Sequence, residues 1–320
     1  MSRDVMRFVG KSDFARVVFA RLALSLIALS GFPENVGAAP WPAECKLSRA
    51  ASLPFRFERG HIRIEVRVND VPRTFAIDTG GLISSVSAEV VESQKIKARP
   101  ISESIDITGI GGKRAEQYAI ADTLTFGHLQ ASNVRLMVQP PNSAAEEDGV
   151  IGPDYLRNFD IEIDYANKIL NFFHPHPCAG RAVYWSVASD STPLEITPQG
   201  HIRLDMQLDG KDIPAILDTG SPVSLIDRMS APTDVRDDKS PGTATLVGAT
   251  GGSTETVPYR FQGMRLGTLL IAHPTLMITP YHDAFRNDHV GMILGNKELK
   301  LFHVYIAYRE GRMYFTPNGK

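Results

Sequence analysis

Phe75-Ala76-Ile77-Asp78-Thr79-Gly80 and Ala215-Ile216-Leu217-Asp218-Thr219-Gly220 are one phrase written twice, 140 residues apart. In each copy three apolar residues run straight into an aspartate that is followed by Thr-Gly. A carboxylate at the end of a buried strand is costly unless donors meet it, because burial disfavours the charged form. The Thr-Gly provides them. Glycine permits a tight turn whose backbone amide can approach the carboxylate, and a threonine hydroxyl can lock the turn to its mate. A single Asp-Thr-Gly is weak evidence, since ordinary turns use the same residues. Two in register within a duplicated unit are strong evidence.

The duplication extends outward from these turns. Gly60-His61-Ile62-Arg63 returns as Gly200-His201-Ile202-Arg203, Phe126-Gly127 as Leu266-Gly267, and Leu136-Met137-Val138 as Leu276-Met277-Ile278, all at the same offset. Ile151-Gly152 then answers Leu294-Gly295, and Leu156 and Phe159 answer Leu299 and Phe302, with three extra residues in the second copy. Period-2 alternation predicts a strand through Ile62, Ile64, Val66 and Val68, and another through Ile202, Leu204, Met206 and Leu208. Asn69-Asp70 and Asp209-Gly210 are hairpin turn signals behind them. A helix is expected over Ser87 to Ile96, with Ser87 as N-cap and Val90 and Val91 inward, and short helices at Asp154–Asn158 and Lys297–Leu301.

Composition agrees with an all-β class. The chain has 320 residues, 43% of them hydrophobic, enough for a sizeable core in two domains or one large one. Its 26 Gly and 21 Pro sit beside many short Val, Ile, Leu and Thr alternations, which favours a turn-rich β protein over a helical bundle. A formal charge of −2 with 22% charged residues provides no electrostatic footprint for nucleic acid and no polybasic membrane patch.

The N-terminus has the order of an export signal: Arg3, Arg7, Lys11, Arg16 and Arg21 precede the apolar run Leu22 to Leu29, and small residues follow at Val36-Gly37-Ala38-Ala39. The apolar run is too short for the roughly 20 residues of a bilayer span, so stable membrane insertion is not expected after signal removal. Without residues 1–38 the chain keeps 29 bases against 33 acids, a charge of −4. A periplasmic or secreted location follows. Export makes a Cys45–Cys178 disulfide expected, closing a loop of 133 residues worth at most ~5 kcal/mol in the chain-entropy model. Two unpaired thiols are the alternative. The domain reading is a signal peptide at 1–38, an N-terminal segment at 39–54, a first lobe at 55–174, a linker at 175–194 and a second lobe at 195–320.

With both Asp-Thr-Gly turns in place, the sequence resembles the aspartic proteases over nearly all of residues 55–317. The resemblance implies a bilobal, pseudo-twofold fold with Asp78 and Asp218 as catalytic residues, supported by Thr79, Gly80, Thr219, Gly220 and Ser221. Gly109-Ile110-Gly111-Gly112 looks like a retroviral-type flap, and Gly248-Ala249-Thr250-Gly251-Gly252 like its counterpart. Val150-Ile151-Gly152 and Ile293-Leu294-Gly295 are similar to the elements that run behind the catalytic turns. Two flaps and about 120–140 residues per lobe suggest fused retropepsin-like units in preference to a pepsin with one flap. In many members a hydroxyl after the glycine donates to the carboxylate; Ser221 fits that role and Gly81 cannot. No equivalent of the pepsin flap tyrosine is identified, although Tyr118 and Tyr259 lie nearby.

The implied chemistry is hydrolysis of an extended polypeptide by a shared-proton carboxyl pair that activates water, with no metal or other cofactor and no dimer required. The alternatives are a non-catalytic peptide-binding homologue with the same fold, and glycoside hydrolysis, whose carboxyls stand at least ~5 Å apart. His174-Pro175-His176-Pro177-Cys178 reads as linker before metal site. His282-Asp283 and Asp288-His289 read as solvated loop at the cleft rim, and the recurring His61 and His201 as packing residues. Ser-based hydrolysis lacks its Gly-x-Ser-x-Gly elbow, and Gly10-Lys11-Ser12 lacks the upstream glycine of a phosphate loop.

Overall fold

Alternation builds the first hairpin of each copy. Ile62, Ile64, Val66 and Val68 are buried along one face, as are Ile202, Leu204, Met206 and Leu208. Each strand turns back where sequence predicts it, through Asn69-Asp70 and Asp209-Gly210, whose positive φ angles of 48°, 64°, 50° and 77° match the right-handed twist of a tight two-residue hairpin. The computed structural model describes residues 46–109, 112–141, 143, 146–175, 179–233, 244–280 and 283–318. The expected signal segment 1–38, both cysteines, Ile110, Gly111, His176, Pro177 and His282 lie outside the described residues. Among the described residues no helix is long and apolar enough to cross a membrane.

The first copy runs through β1 (Arg49–Pro54), β2 (Arg56–Glu58), β3 (His61–Val68), β4 (Val71–Ile77), β5 (Ser85–Ser87), α1 (Ala88–Ser93), β6 (Ala98–Pro100), β7 (Gln117–Phe126), β8 (Leu129–Gln139), β9 (Gly149–Ile151), α2 (Pro153–Leu156), β10 (Asp160–Asp164) and β11 (Ile169–Phe173). The second repeats it through β12 (Asp190–Ile196), β13 (Ile202–Leu208), β14 (Lys211–Leu217), β15 (Leu225–Asp227), β16 (Ala244–Val247), β17 (Ser253–Arg260), β18 (Gly263–Leu266), β19 (Leu269–Ala272), β20 (Thr275–Thr279), α3 (Asp283–Arg286), β21 (Met292–Leu294), α4 (Asn296–Leu299), β22 (Phe302–Ala307) and β23 (Arg312–Pro317). Ser87 caps α1 as expected, its hydroxyl accepting the Val90 amide at 3.2 Å, and Val90 and Val91 are buried.

The aspartate-bearing strands are central. β4 lies parallel to β9, pairing Ile77 with Ile151, and β14 lies parallel to β21, pairing Leu217 with Leu294. Parallel strands covered on both faces need continuous apolar runs, which is why Phe75-Ala76-Ile77 and Ala215-Ile216-Leu217 do not alternate. The ladder continues one residue further, from the Asp78 amide to the Ile151 carbonyl (3.0 Å) and from the Asp218 amide to the Leu294 carbonyl (2.9 Å). Both aspartates are thereby fixed at strand ends.

The copies are stitched by the run of strands β1-β11-β10-β22-β23-β12. Its middle pair, β10 and β22, is antiparallel, with Glu162 opposite Tyr305. These two residues occupy equivalent positions in the copies, so the pseudo-twofold axis passes between them. One sheet face joins the main core through Ile161, Ile163, Val304 and Ile306; the other carries Phe173, Tyr305, Ala307 and Tyr314.

Two segments differ from the sequence reading. Residues 49–54, placed before the first lobe, form β1 and pair with β11. Residues 190–194, placed in the linker, belong to β12, which pairs with both β23 and β13. The remaining described linker is a cover over the outer sheet face: Ala182 is fully buried there, and Trp185 stacks on His303 with ring centroids 4.0 Å apart. The prolines that flank this stretch, Pro175, Pro177 and Pro193, and its small residues gave it the look of a linker and hid the cover.

Candidate active site

Two strands end, and two Asp-Thr-Gly turns meet. Thr79 and Thr219 grip each other across the axis. Each backbone N–H donates to the other's Oγ1 at 3.1 Å, and each hydroxyl donates at 2.8 Å to the carbonyl just before the opposite aspartate, that of Leu217 or Ile77. Both threonines are fully buried, so every one of these bonds replaces water that is excluded.

The donors expected for the carboxylates are present. Asp78 Oδ1 accepts the amides of Gly80 (2.8 Å) and Gly81 (2.7 Å), and Asp218 Oδ1 accepts those of Gly220 (2.8 Å) and Ser221 (3.1 Å). The Ser221 hydroxyl does not follow the expected pattern: it donates to the Val223 carbonyl at 2.7 Å. Backbone amides do the work in both turns, so Gly81 supports its carboxylate as fully as Ser221 does.

The glycines matter for a second reason. A Cβ on Gly80 would stand 2.2 Å from Asp218 Cγ, and a Cβ on Gly220 would stand 2.3 Å from Asp78 Cγ. Each glycine is the floor on which the opposite aspartate rests. The two carboxyl groups share a hydrogen bond, and the Asp218 carboxyl is held well above the usual carboxylate range by its burial, then by the adjacent Asp78 charge and that bond. Asp218 is 8% exposed, whereas Asp78 is half-buried. A carboxyl pair in hydrogen-bond contact is closer than the ~5 Å separation of a glycosidase pair.

A further layer was not read from sequence. Behind the first turn, Asp154 Oδ1 accepts both the amide (2.9 Å) and the hydroxyl (2.7 Å) of Ser84, whose hydroxyl oxygen accepts the Gly152 amide at 2.8 Å. Behind the second, Ser224 donates to Glu298 at 2.6 Å and accepts the Gly295 amide at 2.9 Å. Burial raises both carboxyls, Asp154 and Glu298. The signal was available, since serines and acids recur near the same offset, but Asp against Glu at shifted spacing concealed the match.

The two glycine-rich segments form matching turns. The Gly109 amide donates to Lys113 O (3.2 Å) and the Gly112 amide to Gly109 O (3.1 Å); the Gly248 amide donates to Gly252 O (2.8 Å) and the Gly251 amide to Gly248 O (2.9 Å). They touch each other: a Cβ on Gly109 would lie 2.5 Å from Thr250 Oγ1, and Thr250 is buried while Ala249 is exposed. Arg114 Nη2 braces the first segment by donating to the carbonyls of Ser102 and Glu103, both at 2.9 Å, and Ile105. Tyr118 and Tyr259 are strand residues, one beneath the Arg135 guanidinium and the other edge-on to Phe261.

The remaining candidates separate. Asp288, expected in a solvated loop, is 4% exposed and bonds His201 Nδ1 at 2.6 Å. The duplicate His61 has no such bond among the described hydrogen bonds; burial lowers its pKa, against the opposing charge of Glu147. Glu147 is held instead by Arg63, at 2.7 Å.

The aspartyl protease family model matches residues 64–155 and again residues 204–297, more than half of the chain and one match per copy. The chain belongs to the aspartyl protease family. This family member matches no curated protein. Among solved structures it is similar to basic 7S globulin from soybean, at 13% identity and a TM-score of 0.48, over 85% of this chain and 96% of the globulin.

Proposed function

We propose that this aspartyl protease family member is an active endopeptidase that cuts extended polypeptides with Asp78 and Asp218. The reading is carried by the cross-lobe floor: each aspartate rests on the glycine of the other turn, in contact with its mate. Asp218, the more buried acid, keeps the proton, and Asp78, the more exposed one, acts as base. Asp78 takes a proton from water as its oxygen adds to the scissile carbonyl carbon, and Asp218 gives its proton to the carbonyl oxygen. The resulting diol collapses as a proton passes to the amide nitrogen and the C–N bond breaks. No covalent adduct forms.

The glycine-rich segments around Gly109 and Thr250 act as flaps that close over a strand-like substrate, whose backbone adds hydrogen bonds while side pockets select side chains. Both acids lie on one chain, so a monomer suffices. Export to the periplasm or the medium, by way of residues 1–38, would place the chain in an oxidising setting in which Cys45 and Cys178 pair. Digestion of a peptide library by the full chain over roughly pH 3 to 8 tests the activity. Internal cuts that fade as the pH rises are expected. Peptides bound but left whole throughout would point to the non-catalytic homologue.

A further inference from the structure

The duplication breaks at one pair of equivalent residues beneath the dyad, Asn296 and Pro153. Asn296 is fully buried at the start of α4 and grips the Asp218 turn with both its backbone and its side-chain N–H groups. Its backbone N–H donates to the Ser221 carbonyl at 2.9 Å. Its Nδ2 donates to the Thr219 carbonyl at 2.5 Å and, across the lobe boundary, to the Gly60 carbonyl at 2.7 Å. Its Oδ1 accepts the Tyr165 hydroxyl at 2.6 Å. Two carbonyls can only accept, so the amide orientation is forced.

Pro153 has neither a backbone N–H nor a side-chain amide, and the Asp78 turn receives no such clasp from it. The equivalent of Tyr165 is Tyr308, whose buried hydroxyl has no hydrogen-bond partner among the described residues. Burial pushes both phenols up, so each is a neutral donor; for Tyr308 the charges of Asp160 and Asp78 add to that. Beyond the reciprocal threonine bonds that both turns share, the Asp218 turn therefore carries an additional asparagine link to the opposite lobe, and Pro153 gives the Asp78 turn none. Gly60 can take part because a left-handed φ of +86° brings its backbone against Pro222, where a Cβ would meet the proline Cβ at 2.5 Å.

We propose that Asn296, oriented by Tyr165, is a positioning residue that locks the Asp218 turn against the first lobe and so sets which member of the dyad holds the shared proton. The inference rests on the endopeptidase reading for its kinetic consequence but not for its titration. Misplacing a reacting group by as little as an ångström costs about 100-fold, so N296A should lower kcat about 10- to 100-fold and Y165F about 10-fold, with KM nearly constant. Y165F keeps the ring, which packs edge-on against Phe55 and Phe57, and removes only the hydroxyl.

The experiment follows the Asp218 carboxyl carbon by NMR through a pH titration of the full chain, in the parent, N296A, Y165F and Y308F, beside peptide-cleavage kinetics. The Asp218 transition should move toward the ordinary aspartate range in N296A and Y165F, and stay in place in Y308F. Unchanged kcat and an unchanged Asp218 transition in both first variants would overturn the proposal, as would a Y308F effect equal to that of Y165F. Should N296A not fold, Y165F against Y308F decides. A parent that cleaves nothing overturns the endopeptidase reading alone, because the titration needs no substrate.

Discussion

Thr79 and Thr219 each donate to and accept from the other lobe, so neither Asp-Thr-Gly turn is complete without its mate. Replacing Thr79 by Val leaves the buried Thr219 N–H and Leu217 carbonyl without their partners. Each unmet buried group costs about 1–3 kcal/mol, so T79V and T219V should each destabilise by about 2–5 kcal/mol in denaturant unfolding. The two losses overlap, and a double-mutant cycle should return a coupling above ~1 kcal/mol. Additive losses would mean that the turns fold independently.

Gly80 and Gly220 are predicted to tolerate no side chain. A methyl at either would need the opposite carboxyl to retreat from 2.2 or 2.3 Å, and backbone amides hold that carboxyl in place. G80A and G220A should lose at least ~100-fold in cleavage rate by the positional argument. The ordinary turn glycine Gly210, with φ of 77° and open space around it, provides the control, where Ala affects stability but not rate.

Stability should peak in mild acid. Burial raises Asp218, Asp154, Glu298 and Asp160, the last up to about 6 against the amides of Tyr308 and Arg309. The folded state then binds more protons than the unfolded chain from the ordinary carboxylate range up to these folded values. That stabilisation is complete below the window and lost as pH rises through it. Asp190 acts in the opposite direction: its burial is outweighed by donors from Thr268 and Ser191, so its contribution is lost as pH falls through its lowered value. His61, lowered by burial, also contributes less as pH falls, but it is one group against four. Thermal melts should give a higher Tm near pH ~5 than near pH ~7.5, with a flatter curve in D160N.

The flap reading makes a kinetic prediction. Gly109 and Thr250 meet tip to tip, and G109V would force its side chain into Thr250 Oγ1. Substrate capture should suffer more than chemistry, so KM should rise several-fold, about 3- to 10-fold, while kcat holds. A fall in kcat at constant KM would place the contact elsewhere in the cycle.

We propose that Cys45 and Cys178, which lie outside the described residues, form a disulfide. The described flanks lie on neighbouring strands: the His174 amide donates to the Ser48 carbonyl at 2.9 Å, and β1 runs antiparallel to β11. Mass spectrometry of the full chain folded under oxidising conditions should find the Cys45–Cys178 peptide pair under non-reducing digestion.

Much of this was legible because duplication prints the same physics twice. The strand alternation at Ile62 and Ile202, the apolar approach to each aspartate, and the caps and turns at Ser87, Asn69 and Asp209 are local choices that agree with the fold. What escaped was either divergent or non-local. Asp154 and Glu298 differ in type and offset, Asn296 faces a proline in the other copy, and Asp288 reads as a loop acid until folding sets it against His201. The Ser221 hydroxyl was misread because the resemblance assigned it a bond that its own amide makes. Residues 190–194 became sheet because β23 presents an edge for them, which no property of those residues announces.

The most direct test is the initial rate at which the purified full chain cleaves a denatured protein, compared with D78N and D218N at the same pH. The account predicts robust cleavage by the parent and loss of at least ~1000-fold in each variant, since neither carboxyl can perform both proton transfers alone. Cleavage by either variant at the parental rate would contradict it.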